Sequence, residues 1–228
     1  MLVMDPKLLD LLKVVIENYI SRWDPVGSKF LNSLESMNYA PSTLRKYLNS
    51  LESEWFLYQP YHSAWRMPTI KGFSSYIDDL LDNSPKEDLS IDFDFNSKLA
   101  RNSLRFIIES LWSSVDWAVV WFLRNDEYYF LWINNLLSSD TIKDYETVRQ
   151  IVKFIEDKKI VQHLNEKMIK QNQVKYNFIK TQGKILSCMY VKINVSWYDW
   201  LISILWPVRV NYKKNMSVLN KFLKIYNK

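Results

Sequence analysis

The stretch APSTLRKYLNSLESEWFL, residues Ala40 to Leu57, decides how the first third of the chain folds. Pro41 fits the first turn of a helix and no later one, and Leu44, Leu48 and Leu51 then recur at helical spacing, so one face is apolar. Opposite that stripe fall Ser42, Lys46 and Asn49, with Thr43 and Arg45 on its flanks. Trp55 follows at the C′ position, where the backbone turns left-handed and glycine is the usual residue.

Upstream, Asp5-Pro6 is a helix start, and Leu8, Leu12, Val15 and Tyr19 continue it as an amphipathic helix that stops near Arg22. The turn Trp23-Asp24-Pro25-Val26-Gly27 leads to Ser28, read as the N-cap of a short second helix with Phe30, Leu31 and Leu34 inward. Downstream, Phe56 to Gln59 reads as a strand, and QPYHSAWRMPTIKG, Gln59 to Gly72, as a proline-bounded basic loop carrying Arg66. Three helices and a small hairpin predict an N-terminal winged helix-turn-helix, whose third helix enters a major groove while the hairpin loop reaches an adjacent backbone or minor groove.

Residues 78–97 are acidic (Asp78, Asp79, Asp82, Glu87, Asp88, Asp92, Asp94), broken by Asn83-Ser84-Pro85, and read as a linker between domains at 1–77 and 98–228. In the second domain the pattern predicts a helix over Lys98 to Leu111 and strands at Asp116 to Leu123 and Tyr128 to Ile133. A long helix from about Ile142 to Lys158, strands at Lys184 to Val195 and Tyr198 to Leu205, and a basic helix from about Asn211 complete it. The fold class is α+β.

With 228 residues, 48% hydrophobic and 24% charged, the chain has material for ordinary packed cores. Its apolar runs are too short to cross a bilayer, no targeting segment is visible, and a cytoplasmic protein is expected. The lone Cys188 excludes an internal disulfide, and with only His62 and His163 beside it no metal-site spacing exists. Nor is there a nucleophile–base pair or glycine-rich phosphate loop, so neither an enzyme nor a cofactor is expected. A net charge of +5 permits a polyanionic partner without locating it. From Met1 to Tyr76 eight basic residues face seven acidic ones, whereas Arg209 to Lys228 holds six basic residues and no acidic one. Three glycines beside ten tryptophans are an odd pair of frequencies, since glycine normally supplies about 7% of a chain.

DPVGSKFL at Asp24 to Leu31, the Ala40 to Leu57 stretch, and QPYHSAWRMPTIKGF at Gln59 to Phe73 together resemble the heat-inducible transcription repressor HrcA family. That family shows a PVGS turn, a helix of the form S-x-A-T-I-R, a leucine-glutamate pair before a glycine, and a wing of the form P-H-x-S-A-G-R-x-P-T-x-x-G. Here Pro25 to Ser28, Thr43 to Arg45, Leu51-Glu52 and Ser63 to Gly72 take those places, while Ala40, Lys46 and Tyr61 depart from a serine-like cap, an asparagine and a histidine. More faintly, YYFLWINNLLSS at Tyr128 to Ser139 and WYDWLISILWPVRVNYKK at Trp197 to Lys214 resemble the family's second part. The resemblance implies a GAF-like α/β domain there, with its dimerisation insertion reduced to the brief segment between Lys158 and Lys184. It further implies a homodimer that binds double-stranded DNA at an inverted-repeat operator, represses chaperone operons until heat stress releases it, and has the chaperonin as a partner.

Within that frame Ser42, Thr43, Arg45, Lys46 and Asn49 of the third helix and His62, Ser63, Arg66 and Lys71 of the wing are the expected DNA-binding residues, Arg66 foremost. The alternative is a winged-helix regulator whose C-terminal domain senses a small molecule, the aromatic run near Tyr128 to Trp132 lining its pocket. Trp23, Trp55, Trp65, Trp132, Trp200 and Trp206 all stand where the resemblance implies glycine. The expectation is that the native protein carries glycine there, encoded by UGA and translated here as tryptophan, with Trp65 at a loop tip.

Overall fold

The computed structural model describes residues 4–22, 24–61, 65–83, 111, 114–115, 118–123, 128–131, 145–146, 149, 152–153, 173–181, 185–195 and 198–226. The chain divides into two units, Met1–Pro85 and Lys86–Lys228.

In the first unit, helix α1 (Pro6–Arg22) begins where Asp5 Oδ1 accepts the Lys7 N–H at 2.9 Å, and it buries Leu11, Leu12, Val15, Ile16 and Tyr19. Strand β1 (Val26–Gly27) runs straight into α2 (Ser28–Asn32). The cap of α2 is Gly27 and not Ser28, which is buried as the first helical residue. Helix α3 (Pro41–Ser53) buries the leucine stripe Leu44, Leu48 and Leu51. Strands β2 (Leu57–Tyr58) and β3 (Trp65–Pro68) pair antiparallel, and β1 joins the other side of β3, giving the order β1-β3-β2. Trp65 and Arg66 therefore lie in a central strand, Trp65 opposite Gly27 and Arg66 opposite Val26, and not in a loop.

The largest departure from the sequence reading is α4 (Ile70–Asp82), which occupies the end of the expected wing and the start of the expected linker. Thr69 caps it by accepting the Gly72 N–H at 3.1 Å, and Phe73, Tyr76, Ile77 and Leu80 form its buried stripe. Of the aspartates that suggested a linker, Asp78 and Asp82 lie exposed on α4, while Asp79 is largely buried against α1 and meets its Lys13 at 2.7 Å. Tyr76 adds a hydroxyl bond to Glu17 at 3.3 Å, and the Tyr19 and Phe73 rings lie 6.3 Å apart, so α1 and α4 close one core.

The second unit is built on one antiparallel sheet. Its strands are β4 (Ala118–Leu123), β5 (Tyr128–Leu131), β6 (Lys175–Lys180), β7 (Ile185–Val195) and β8 (Tyr198–Pro207), in the order β5-β4-β8-β7-β6. The edge strand β6 was not foreseen, since KYNFIK is short and lies inside the segment read as a reduced insertion. Leu186 to Val191 is buried on both faces, which is why that run reads as almost continuously apolar. Helix α5 (Tyr212–Tyr226) covers one face, its Tyr212 ring meeting Trp206 edge-on with centroids 6.0 Å apart. Burial pushes the Cys188 thiol up to about 12, a bond with Ser203 partly offsetting it, and raises the Tyr212 phenol, whose hydroxyl donates to the Val208 carbonyl at 2.6 Å. The helix expected over Lys98 to Leu111 lies outside the described residues except for Leu111, and that from Ile142 to Lys158 lies mostly outside them. Among the described residues no helix is long and apolar enough to cross a membrane.

Candidate nucleic-acid interface

Helix α3 turns its leucines inward and leaves Ser42, Arg45, Lys46 and Asn49 exposed, with Thr43 half-buried. The helix start is open: Ala40 is extended and its carbonyl accepts the Leu44 N–H at 3.0 Å, but it offers no side-chain cap to the earlier N–H groups of α3. His62 and Ser63 lie outside the described residues.

Arg66 is placed differently from the sequence expectation. It is 5% exposed, its Nε donates to Glu52 Oε2 at 3.1 Å, and its Nη2 donates to Asn49 Oδ1. A guanidinium so enclosed holds β3 to the C-terminal half of α3, and it has no face left for a duplex. Asn49 keeps an exposed surface while its carbonyl serves this contact. Glu52, absent from the sequence-predicted set, is thus what fixes the hairpin on the helix. Its signal was the pair Glu52 and Arg66, fourteen residues apart, which only the antiparallel return of the chain brings together.

Lys71 also departs from expectation, because it belongs to α4. Its Nζ donates to the Glu54 carbonyl at 2.7 Å and sits 4.1 Å above the Phe56 ring, so it complements the carbonyl end of α3. That end is a Schellman turn: the Phe56 N–H reaches the Leu51 carbonyl at 2.9 Å and the Trp55 N–H reaches Glu52 at 3.0 Å. Among the described residues other than glycine, Trp55 alone has a positive φ, 63°. Thr69 Oγ1 donates to the Trp55 carbonyl at 2.7 Å, locking the turn to the head of α4.

The cations of this unit fall into two groups. Lys13, Arg66 and Lys71 are engaged within the protein. Arg22, Lys29, Arg45, Lys46 and, at the start of α1, Lys7 have no carboxylate within ion-pair distance among the described residues. The first three of these, with Asp24, Phe30 and Trp65, border a cleft of about 560 Å³. The Arg22 guanidinium carbon sits over the Phe30 ring, 3.9 Å from its centre. Four of the five unpaired cations thus stand on α3 or at the cleft beside it, Lys7 being the exception, and a polyanion would be attracted there.

No family model matches the chain. It is similar to curated proteins named heat-inducible transcription repressor HrcA. The one from Kineococcus radiotolerans is 37% identical over 81 residues, 36% of this chain and 23% of the relative. The one from Acidothermus cellulolyticus is 36% identical over 77 residues, covering 34% and 23%. The one from Methylobacillus flagellatus is 35% identical over 88 residues, covering 39% and 26%. The chain thus spans roughly a quarter of the length of the curated relatives it matches. A crystal structure of a hypothetical protein at 2.2 Å shares the fold, with a TM-score of 0.81 over 98% of both chains at 14% identity.

Proposed function

We propose that the chain is a transcription repressor of the heat-inducible kind, whose N-terminal unit is a winged helix-turn-helix bound to double-stranded DNA through α3. The observation that carries this reading is the outward face of α3, where Ser42, Arg45, Lys46 and Asn49 stand exposed beside unpaired cations. The similarity to the HrcA repressors supports it. Ser42, Lys46 and the free side of Asn49 meet base edges in a major groove, Thr43 and Arg45 meet phosphates, and the hairpin tip with His62 and Ser63 approaches the neighbouring backbone. Arg66 and Lys71 act from behind, by holding the hairpin and α4 against α3.

In this reading the second unit is a GAF-like regulatory and dimerisation domain, the operator is an inverted repeat ahead of chaperone genes, and the chaperonin supports the active form. Heating releases the repressor because folding free energy of a few kcal/mol vanishes within a modest temperature rise. Gel shift of the full chain tests the proposal, using a duplex with the inverted repeat of a chaperone promoter against a scrambled duplex. Preferential binding is expected, weakened by Lys46→Ala at low and moderate salt. Equal affinity for both duplexes would overturn the reading.

A further inference from the structure

We infer that Arg22, Lys29 and Arg45 form one seat for the sugar-phosphate backbone of the duplex, so that Arg45 sets position and leaves base recognition to its neighbours on α3. The inference rests on the proposed DNA-binding reading and assigns two residues, Arg22 and Lys29, that the sequence did not single out. The three cations come from the end of α1, from α2 and from the first half of α3, and all border the same cleft of about 560 Å³. Only Asp24 opposes them there, and none of the three is paired with a carboxylate among the described residues. The Arg22 guanidinium carbon sits 3.9 Å from the centre of the Phe30 ring, a cation–π contact that holds the side chain beside the cleft. Arg45 and Lys46 are about 100° apart around α3, so a helix laid in a groove can point one to the backbone and the other to base edges. The cations stand on helices, and the charge argument does not depend on which residue occupies position 65.

The occupant is identified by charge complementarity: a polyanion with regularly spaced phosphates suits several fixed cations beside an exposed helix face. Lys29→Ala and Arg45→Ala are tested in the full chain, with melting curves to verify folding and Arg22→Lys as the charge-retaining control. Each alanine variant is expected to weaken a random-sequence duplex and the inverted-repeat duplex by the same factor, about threefold to tenfold, and to lower the slope of log K against log salt by about one. Arg22→Lys is expected to keep the slope. An unchanged slope, or loss of preference for the repeat with random binding intact, would overturn the assignment while leaving the repressor reading in place. Lower slopes on random DNA with no preference for the repeat in the parent chain would do the reverse. Binding of neither duplex sinks both. If inorganic phosphate raises the melting temperature, Lys29→Ala abolishes that rise, and duplex binding is unaffected, the seat belongs to a free anion and the proposal fails.

Discussion

Trp55 shows how far a single residue can be read before any coordinate is known. Its place after the leucine stripe predicted a left-handed C′ residue, and φ is 63° with both Schellman bonds in place. A side chain with Cβ costs roughly 1 kcal/mol or more in that conformation, and the indole is 73% exposed, so packing offsets little of it. Trp55→Gly is expected to raise the urea midpoint, by about 1 kcal/mol in stability. Peptide mass spectrometry of the protein from its native source is expected to read glycine at 55, and tryptophan there would refute the decoding expectation where the backbone selects most strongly. The other positions differ in geometry. Trp65 is half-exposed in β3, whereas Trp206 is fully buried against Tyr212 and its indole N–H finds no acceptor among the described residues. Trp23 and Trp132 lie outside the described residues. Gly72 is a true glycine with a reason: a Cβ would come within 2.3 Å of the Phe56 carbonyl oxygen. Gly72→Ala is expected to destabilise the first unit by roughly 2–4 kcal/mol, read as an earlier urea transition.

Among the elements, α3 was legible because its three leucines, its proline and its C′ residue agree with one another. Helix α4 was not, because its apolar stripe, Phe73, Tyr76, Ile77 and Leu80, is accompanied by aspartates that resemble a linker when counted by charge. The period of its apolar residues was the better signal than their neighbours' charge. Likewise Arg66 looks like a wing cation in one dimension, and only pairing of β3 with both β1 and β2 shows it enclosed. Its ion pair is tight on one side and a third exposed on the other, with Arg66 at 6% and Glu52 at 34% side-chain exposure. Glu52→Ala leaves that guanidinium without its carboxylate and is expected to cost about 2–3 kcal/mol, the lower end for such pairs because water reaches Glu52. Arg66→Ala should both lower the melting temperature and weaken DNA binding, whereas Lys46→Ala should weaken binding alone. Equal melting temperatures for the Arg66 variant and the parent would contradict the enclosed role.

For the molecule as a whole, the late strands β7 and β8 and the final helix were readable from their long apolar runs, while β6 was hidden because a short edge strand with lysines at both ends carries little apolar periodicity. Burial of Cys188 and Tyr212 gives the second unit an alkaline limit. Both groups are held protonated by the fold, so the unfolded chain releases its protons first, and stability present below pH 9.0 is lost as pH rises through about 12 for the thiol. The slope per group is at most about 1.4 kcal/mol per pH unit. Urea titrations at rising pH are expected to show this decline, and Cys188→Ala to make it shallower. The same thiol has another use. It is the chain's only cysteine, it lies at 0% exposure in the middle of β7, and it is hydrogen-bonded into the sheet between β6 and β8. A disulfide reagent can reach it only when the packing over it opens, so the rate of colour development in native buffer is a clock for openings of the second unit alone, readable degree by degree through a heat-stress ramp without any introduced probe.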